Sequence, residues 1–315
     1  MKWGVAWLSA AVVAIGCTPL AGAAPAAEAR VGVVASDASS ATCGVWREKT
    51  VAYSLGILEA LLPDNHGGML LSSSSHNAIE RLRPNGHVRV LAKVSSPGQL
   101  VWHGRHTVMF PTGDGFASGA LDRADGTLQL LDLRSRRLTT YATGLTMPNG
   151  LAVDRDGTAY VTRDTGFGTG ITRISAKPPH RVTTSWSTLS DTNGIAIDAK
   201  RRVMYVDRTF EVNAPVVRIP MAHPNDTRQI TDLSAVGGYS LKLLDDLTMS
   251  NGILYIPANG GGELFSLDPA TRRVCLIATG LGNPSDVTVG TGHGWRKGAL
   301  FVCGFDGTVR EFVRT

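Results

Sequence analysis

Six positions, each at the start of a similar short apolar segment, carry side chains that could together bind a cation. The segments read "EALLP", "GQLVW", "NGLAV", "NGIAI", "DDLTM" and "SDVTV", at intervals of 39, 51, 44, 52 and 40 residues. Their first residues are Glu59, Gly98, Asn149, Asn193, Asp245 and Ser285. Four of these six residues offer carboxylate or amide oxygens, which are the ligands that hard cations such as Ca²⁺ prefer.

The composition of this set favours calcium over zinc, because it contains no histidine or cysteine. Two carboxylates and two amides carry a formal charge of −2, which one Ca²⁺ would balance. Alternatively, each Asn or Asp bonds its own backbone in an Asx turn. Since buried carboxylates without a counter-ion are costly, the repetition favours a metal site with Glu59, Asn149, Asn193 and Asp245 as ligands.

Asp246 adds a second carboxylate directly after Asp245. Alternation along a strand would turn the two side chains to opposite faces. Asp246 is therefore predicted to be an additional ligand, a residue that supports the ligands, or a solvated side chain. Which of Asp245 and Asp246 is the primary ligand stays open.

The elements that would position these residues are short strands in a repeating pattern. Each segment is followed by two or three further strand-like runs, for example "GTAYVT", "GITRISA" and "RVTTSWSTL" after Asn149. Six units of about four strands predict an all-β, six-bladed β-propeller of four-stranded blades. Because the sixth unit lacks a fourth strand, we expect the spare N-terminal strand in 46–56 to close the sixth blade.

In this architecture the first strand of each blade lines the central channel, so the six starting positions converge on one end of it. The stretch "MPNGLAVDRDG" then contains a single hairpin turn, although it has both Asn-Gly and Asp-Gly. We place the hairpin at Asp156-Gly157, between the first two strands of the blade. Asn149-Gly150 is interpreted as the channel-facing start of the first strand.

The N-terminus has the features of an export signal. An apolar run follows Lys2, and Ala21-Gly22-Ala23 is a cleavage motif, so residues 1–23 are predicted to be a signal peptide. Lipoprotein processing at Cys17 is an alternative. The Ala/Ser-rich segment 24–42 is predicted to be a flexible linker and 43–315 the propeller domain, in a secreted or extracytoplasmic protein.

Export permits disulfides, and Cys43, Cys275 and Cys303 would remain after cleavage. An odd number allows one pair and one free thiol, or no pair at all. A Cys43–Cys303 pair is attractive because both residues belong to the expected sixth blade, although a strand would lie between them.

Charge and composition exclude some partners. The net charge of +5 comes from scattered Lys and Arg with no basic stripe among aromatic residues, which argues against nucleic-acid binding. No apolar run is long enough to span a membrane. We expect a monomer that acts on a small-molecule substrate. The histidines at positions 66, 103, 106 and 293 lie in predicted turns at the opposite rim and are not expected to take part.

The sequence resembles the senescence marker protein/gluconolactonase/luciferin-regenerating-enzyme family over residues 54–313. The resemblance rests on "PNGLAVDRDGTAYVT", "TNGIAID", "LLDDLTMSNGILYI" and "PSDVTVGTGHGWRKGALFVCGFDGTVREF". It implies a six-bladed propeller with calcium in the channel, held by Glu, Asn, Asn and Asp, which correspond to Glu59, Asn149, Asn193 and Asp245. "LDDL" is similar to the Asp-Asn pair of paraoxonases, which would make Asp246 a further ligand.

Two departures concern histidines. Gly98 stands where paraoxonases carry a histidine in blade 2, and Ser285-Asp286 stands where diisopropylfluorophosphatase has a histidine in blade 6. The acidic residue of the family's "YVTDS" is displaced by one position to Asp164. These departures leave the metal set intact and bear on the substrate.

The expected function is calcium-dependent hydrolysis of a lactone or related ester. Ca²⁺ can polarise a carbonyl oxygen, and a carboxylate beside it can act as base or nucleophile, a role assigned to Asp245. Asp164, Arg208 and Asn259 follow second strands and are candidates for binding substrate hydroxyls, or are ordinary loop residues. The alternatives are a non-enzymatic binding module with a structural calcium and a strictosidine-synthase-like relative.

Overall fold

Alternating apolar residues and frequent turn residues fold this chain into six four-stranded antiparallel sheets within the described residues. The computed structural model describes residues 43–166, 170–238 and 241–315. The strands of blades 1 to 3 are β2 (Leu58–Pro63), β3 (Met69–Ser73), β4 (Ala78–Leu82), β5 (Val88–Lys93); β6 (Val101–Trp102), β7 (Thr107–Thr112), β8 (Gly126–Asp132), β9 (Leu138–Leu145); and β10 (Leu151–Val153), β11 (Ala159–Val161), β12 (Ile171–Ile174), β13 (Val182–Ser187).

The second half of the ring repeats this arrangement. The strands of blades 4 to 6 are β14 (Thr192–Asp198), β15 (Val203–Arg208), β16 (Pro215–Pro220), β17 (Arg228–Asp232); β18 (Thr248–Ser250), β19 (Ile253–Ala258), β20 (Glu263–Asp268), β21 (Arg273–Ala278); and β22 (Pro284–Val289), β23 (Leu300–Gly304), β24 (Val309–Arg314), β1 (Trp46–Ala52). A short helix, α1 (Phe116–Ala120), lies between β7 and β8. The predicted six-bladed β-propeller is confirmed.

The ring closes through its N-terminal strand, as predicted. β1 pairs antiparallel with β24, from Trp46 opposite Arg314 to Ala52 opposite Val309, and so becomes the outer strand of blade 6. This pairing leaves the C-terminal strand without a free edge. The predicted signal peptide and linker, residues 1–42, lie outside the described residues. Within residues 43–166, 170–238 and 241–315, no helix is long and apolar enough to cross a membrane.

The hydrophobic core is divided among the six blade interfaces. Each of six buried apolar clusters combines side chains of two neighbouring blades, for example Leu71 and Phe301 between blades 1 and 6. First strands of neighbouring blades contact one another, as β10 does with β6 and β14. The first strands therefore surround the axis, and their starting residues share one rim of the propeller.

The Asp-Gly hairpin lies where the sequence placed it. Gly157 N donates to Asp154 O at 2.9 Å between β10 and β11, and Gly157 has a φ of +85°, which glycine adopts readily. Asn149-Gly150 is extended instead. Asn149 N donates to Thr162 O at 3.2 Å, and Thr162 N donates to Gly150 O at 3.0 Å.

Of the pairings that the sequence left open, Cys43–Cys303 does not form. Cys43 is bonded to Cys275 on β21, the outer strand of blade 5, with a Cα–Cα distance of 5.5 Å. Cys303 is a buried free thiol on β23, the second strand of blade 6. Two strands, β1 and β24, lie on the outer side of β23, so the chain preceding β1 reaches the neighbouring blade more easily than β23.

Candidate metal centre

The four predicted ligands line a single cavity of about 260 Å³ at the rim where first strands begin. Glu59 is in β2 and Asn193 in β14, while Asn149 and Asp245 precede β10 and β18. Four different blades therefore contribute one oxygen-bearing side chain each. The structure brings the predicted set together in one cavity.

Hydrogen bonds fix the orientation of Asn193 and leave its oxygen free. Asn193 Nδ2 donates to Thr209 Oγ1 at 2.9 Å, and that hydroxyl donates to Leu244 O at 2.8 Å. With its amide nitrogen engaged in this way, Asn193 has a buried Oδ1 with no hydrogen-bond partner among the described residues. A buried unpaired carbonyl oxygen is costly, and a cation would satisfy it.

Asp245 is held from both sides. Asn259 Nδ2 donates to its Oδ2 at 3.1 Å, and the backbone N of Asp246 donates to its Oδ1 at 3.1 Å. A carboxylate oxygen accepts more than one partner, so both atoms keep capacity for a ligand. Glu59 is oriented by Ser74, whose Oγ donates to Glu59 Oε1 at 3.2 Å.

Two further carboxylates, Asp114 and Asp164, line the same cavity. Each has a buried Oδ1 without a hydrogen-bond partner among the described residues. Asp164 was among the sequence candidates, but Asp114 was missed. The signal that could have found Asp114 is its place two residues after β7, because Asp164 follows β11 in a similar way.

The cavity is strongly acidic and offers its carboxylates no basic partner. Burial raises the pKa of Glu59 to about 7 and that of Asp164 to about 6, and neighbouring carboxylates add to the shift. Burial also raises the pKa of Asp114 and Asp245 well above the usual range. Among the described residues, none of the four forms an ion pair with Lys or Arg. A cation would compensate their ionisation.

The donor set fits a hard cation only when the amides are included. In the described part of the chain, no three His, Cys, Asp or Glu side chains form a group that could hold a metal ion. The oxygens of Asn149 and Asn193 would therefore have to complete the coordination. Oxygen-only sets of carboxylate and amide ligands suit Ca²⁺ rather than Zn²⁺.

Asp246 lies below the cavity and does not line it. Its residue exposure of 2% shows that the interpretation as a solvated side chain is wrong. Asp246 Oδ1 has no hydrogen-bond partner in the described residues, and burial and the nearby Asp286 and Asp245 raise its pKa well above normal. This position fits a residue that supports Asp245 better than a primary ligand.

The two remaining template positions have structural roles. Ser285 Oγ donates to Leu58 O at 2.7 Å and so joins the first strands of blades 6 and 1. Gly98 leaves room for the neighbouring blade, because a Cβ there would lie 2.7 Å from Asn149 O. Neither residue lines the cavity.

A larger cavity of about 310 Å³ opens between the first strands towards the other end of the channel. Asp286 is the single ionisable residue in its lining, which is mostly apolar. Both oxygens of Asp286 are engaged, since Oδ2 accepts from Leu61 N at 2.9 Å and Oδ1 from Gln99 Nε2 at 3.2 Å. The smaller, acidic cavity is therefore the better candidate for a metal centre.

The three residues that follow second strands and were candidates for binding substrate hydroxyls separate into two groups. Asp164 and Asn259 line the cavity, whereas Arg208 does not. The Arg208 guanidinium pairs with Asp191 at 3.0 Å and Glu211 at 2.7 Å, and its Nε donates to Ser190 O. None of the four histidines in the first-to-second-strand turns lines the cavity, in agreement with the prediction.

Comparisons with known proteins find likeness at the level of the fold. No protein-family model and no curated protein matches this sequence. A gluconolactonase from Xanthomonas campestris superimposes with a TM-score of 0.69 at 16% identity, over 92% of this chain and 95% of that chain. Virginiamycin B lyase from Staphylococcus aureus superimposes with a TM-score of 0.58 at 11% identity, over 86% of this chain and 99% of that chain. A chain of a nidogen/laminin complex superimposes with a TM-score of 0.55 at 15% identity, over 73% of this chain and 88% of that chain. At these identities the three comparisons show a shared fold and no shared function, since the matched chains include two enzymes and a protein of a binding complex.

Proposed function

We propose that this protein is a calcium-dependent hydrolase that acts on a lactone or a related ester. The observation that carries the proposal is the convergence of four oxygen donors from four blades on one buried, acidic cavity, with Asn193 Oδ1 unpaired. The fold-level likeness to a gluconolactonase supports it. We also propose that the protein is exported and acts as a monomer.

In this proposal Glu59, Asn149, Asn193 and Asp245 hold the ion, and Asp246 supports Asp245 from below. Bound Ca²⁺ would act as a Lewis acid towards a carbonyl oxygen and would stabilise the ionised carboxylates. Asn193 donates a hydrogen bond to Thr209, and Asp245 accepts one from Asn259, so both side chains are oriented before substrate enters and less reorganisation is needed on binding.

Asp245 is the proposed base. It lines the cavity, and the hydrogen bond from Asn259 fixes its carboxylate. The Asp245 carboxylate takes a proton from water, whose oxygen bonds to the substrate carbonyl carbon. The ester C–O bond breaks, and the proton passes to the leaving alkoxide, which yields a hydroxy acid from a lactone. A nucleophilic role for Asp245 is the alternative within the same chemistry.

The test measures hydrolysis of a simple lactone and an aryl ester in excess Ca²⁺ and after chelation with EGTA. We expect activity to be lost on chelation and to return when Ca²⁺ is added. Asp245→Asn is expected to reduce kcat by about 10²- to 10⁴-fold, the range of a general base. Asp226→Asn, at an exposed aspartate in a surface turn, is the matched control.

Calcium binding and folding are measured on the same variants by titration calorimetry and circular dichroism. If Asp245→Asn binds Ca²⁺, folds and retains full hydrolysis, the catalytic role of Asp245 is refuted. If chelation lowers thermal stability while no lactone or ester is cleaved under any condition, the protein is a binding module with a structural ion.

A further inference from the structure

The exposed large apolar side chains of the described residues are concentrated on one face of the propeller. Eight of the eleven lie in second-to-third-strand loops or in connections that lead into a first strand: Tyr53, Ile57, Phe116, Leu121, Phe210, Val212, Leu241 and Phe305. These loops form the rim that carries the acidic cavity. The other three, Val45, Val90 and Leu138, precede or lie in outer strands. An apolar surface concentrated at the rim of a site indicates recognition rather than chance exposure.

Part of this apolar surface belongs to the cavity itself. Phe116, Met147, Leu243, Leu244 and Phe305 line the cavity together with the polar residues already described. Phe116 is 67% exposed and Phe305 is 38% exposed, so both extend from the cavity wall into solvent. A molecule that reaches the carboxylates from solvent therefore passes two phenylalanine rings.

The side-chain donors of Thr209 and Asn259 in the lining are engaged, and the unpaired oxygens of Asp114, Asp164 and Asn193 belong to the acidic end that the proposed ion would occupy. Thr209 Oγ1 is engaged with Asn193 and Leu244, and Asn259 Nδ2 with Asp245. Arg208 pairs with carboxylates outside the cavity. The two rings at the rim offer the hydroxyls of a sugar lactone no hydrogen bonds, whereas an alkyl or aryl group would gain by covering the rings.

We infer that the substrate carries an apolar substituent beside the reactive carbonyl, and that Phe116 and Phe305 select it. This inference rests on the proposed hydrolase function and names its substrate class: an alkyl- or aryl-substituted lactone or ester rather than a sugar lactone. The apolar group lies against the rings at the rim while the carbonyl reaches the acidic end of the cavity.

The first experiment compares three six-membered lactones in excess Ca²⁺: δ-undecalactone, unsubstituted δ-valerolactone and glucono-δ-lactone. We expect kcat/KM to fall in that order, with a difference of about tenfold or more between the first and the second, since burial of a few methylenes gives discrimination of this size. A preference for glucono-δ-lactone overturns the inference while the hydrolase proposal stands. If none of the three lactones and no aryl ester is hydrolysed, the proposed function fails, and the inference with it.

The second experiment tests the two rings with Phe116→Ser and Phe305→Ser. Leu138→Ser is the matched control, because Leu138 has the same 38% exposure as Phe305 but lies on the outer strand β9. The ring variants are expected to lower kcat/KM for δ-undecalactone about five- to tenfold, mainly through KM, and to lower kcat/KM for δ-valerolactone much less. The control is expected to change neither value.

Equal losses on both substrates would show a structural effect and would refute selection by the rings. A lipid surface is the other occupant that this face could accept. If the ring variants keep wild-type kinetics but lose binding to phosphatidylcholine vesicles in sedimentation, the face docks on lipid and the inference is overturned.

Discussion

At the scale of single residues, the site is dominated by carboxyl groups whose pKa values burial raises. The pKa of Glu59 rises to about 7 and that of Asp164 to about 6, with burial as the main cause in each case. In an unfolded chain, the carboxyl groups of aspartate and glutamate have pKa values near 4. Each residue therefore holds a proton more firmly in the folded protein without metal than in the unfolded chain.

This difference predicts how stability depends on pH. Between about pH 4 and pH 7 these carboxyl groups bind more protons in the folded, calcium-free protein than in the unfolded chain, so their contribution to the free energy of unfolding falls as the pH rises. Bound Ca²⁺ would stabilise the ionised carboxylates and oppose this loss. In thermal unfolding, we expect the Tm difference between Ca²⁺-loaded and EGTA-treated protein to be larger at pH 8 than at pH 5. Equal differences at both pH values would contradict the prediction.

The repeat explains which site residues the sequence could predict. Glu59, Asn149, Asn193 and Asp245 occupy one equivalent place in the blade, so alignment of the repeats found them together. Asp114 lies in a longer loop that contains α1, where the repeat gives no register. For Arg208 the sequence left a substrate contact and an ordinary loop role open, and the structure favours the loop role, because Asp191 and Glu211 pair with its guanidinium outside the cavity.

At the scale of elements, the first strands approach one another closely because glycine follows two of the predicted ligands. A Cβ on Gly194 would lie 2.6 Å from Asp207 Oδ2 and closer still to the backbone N of Leu247. Backbone atoms of a neighbouring strand cannot move aside as a flexible side chain does. Gly194 thus sets the distance between β14 and the segment that leads from Asp245 into β18.

We therefore expect Gly194→Ala to destabilise the protein by about 1–3 kcal/mol, the usual cost of overpacking, and to weaken calcium binding, because it displaces Asn193 from the segment carrying Asp245. Gly238→Ala is the control, since nothing lies within 4 Å of a Cβ at that position. Chemical denaturation and calcium titration measure both effects. An unchanged stability of Gly194→Ala would show that the strands separate easily.

A buried ion pair anchors the segment that carries Asp245. Lys242 Nζ lies 2.7 Å from Glu263 Oε2, and both side chains are almost completely buried. The same lysine lies over the Phe265 ring, with Nζ 5.6 Å from its centroid. Lys242 therefore connects the segment before β18 to β20, two strands away in blade 5.

Removal of one partner would leave an unpaired buried charge. Lys242→Met is expected to cost about 3–5 kcal/mol of unfolding free energy, and Glu263→Gln less, because glutamine can still accept a hydrogen bond from the lysine. The double variant Lys242→Met/Glu263→Met is expected to be more stable than Lys242→Met alone. Urea denaturation of the wild type, Lys242→Met, Glu263→Met and the double variant measures the coupling. Additive losses would indicate that the two side chains act independently.

At the scale of the whole molecule, the ring and its closure could be predicted, but the disulfide could not. The spare N-terminal strand and the three-stranded last unit together required β1 to pair with β24. The partner of Cys43 depends instead on the direction in which the chain enters β1, which no repeat determines. Cys43 and Cys275 are separated by 232 positions in the sequence.

The disulfide links the chain before the closing strand to the outer strand of blade 5, so it fastens the ring at the point where its ends meet. Since it closes a long loop in the unfolded chain, we expect its loss to cost about 2–4 kcal/mol of unfolding free energy. Cys43→Ser, Cys275→Ser and the double variant should lose similar amounts, because each removes the same bond. Of these proteins, only the wild type should be destabilised by dithiothreitol, because the variants no longer contain the bond.

Denaturation with and without reductant measures these losses, and thiol labelling reports on the third cysteine. Cys303 is buried, so in the native oxidised protein we expect it to react with a maleimide only after unfolding. A double variant that loses twice as much as either single variant would mean that the two cysteines stabilise blades 5 and 6 separately. Equal stability of the oxidised and reduced wild-type protein would mean that the pairing of β1 with β24 holds the ring closed by itself.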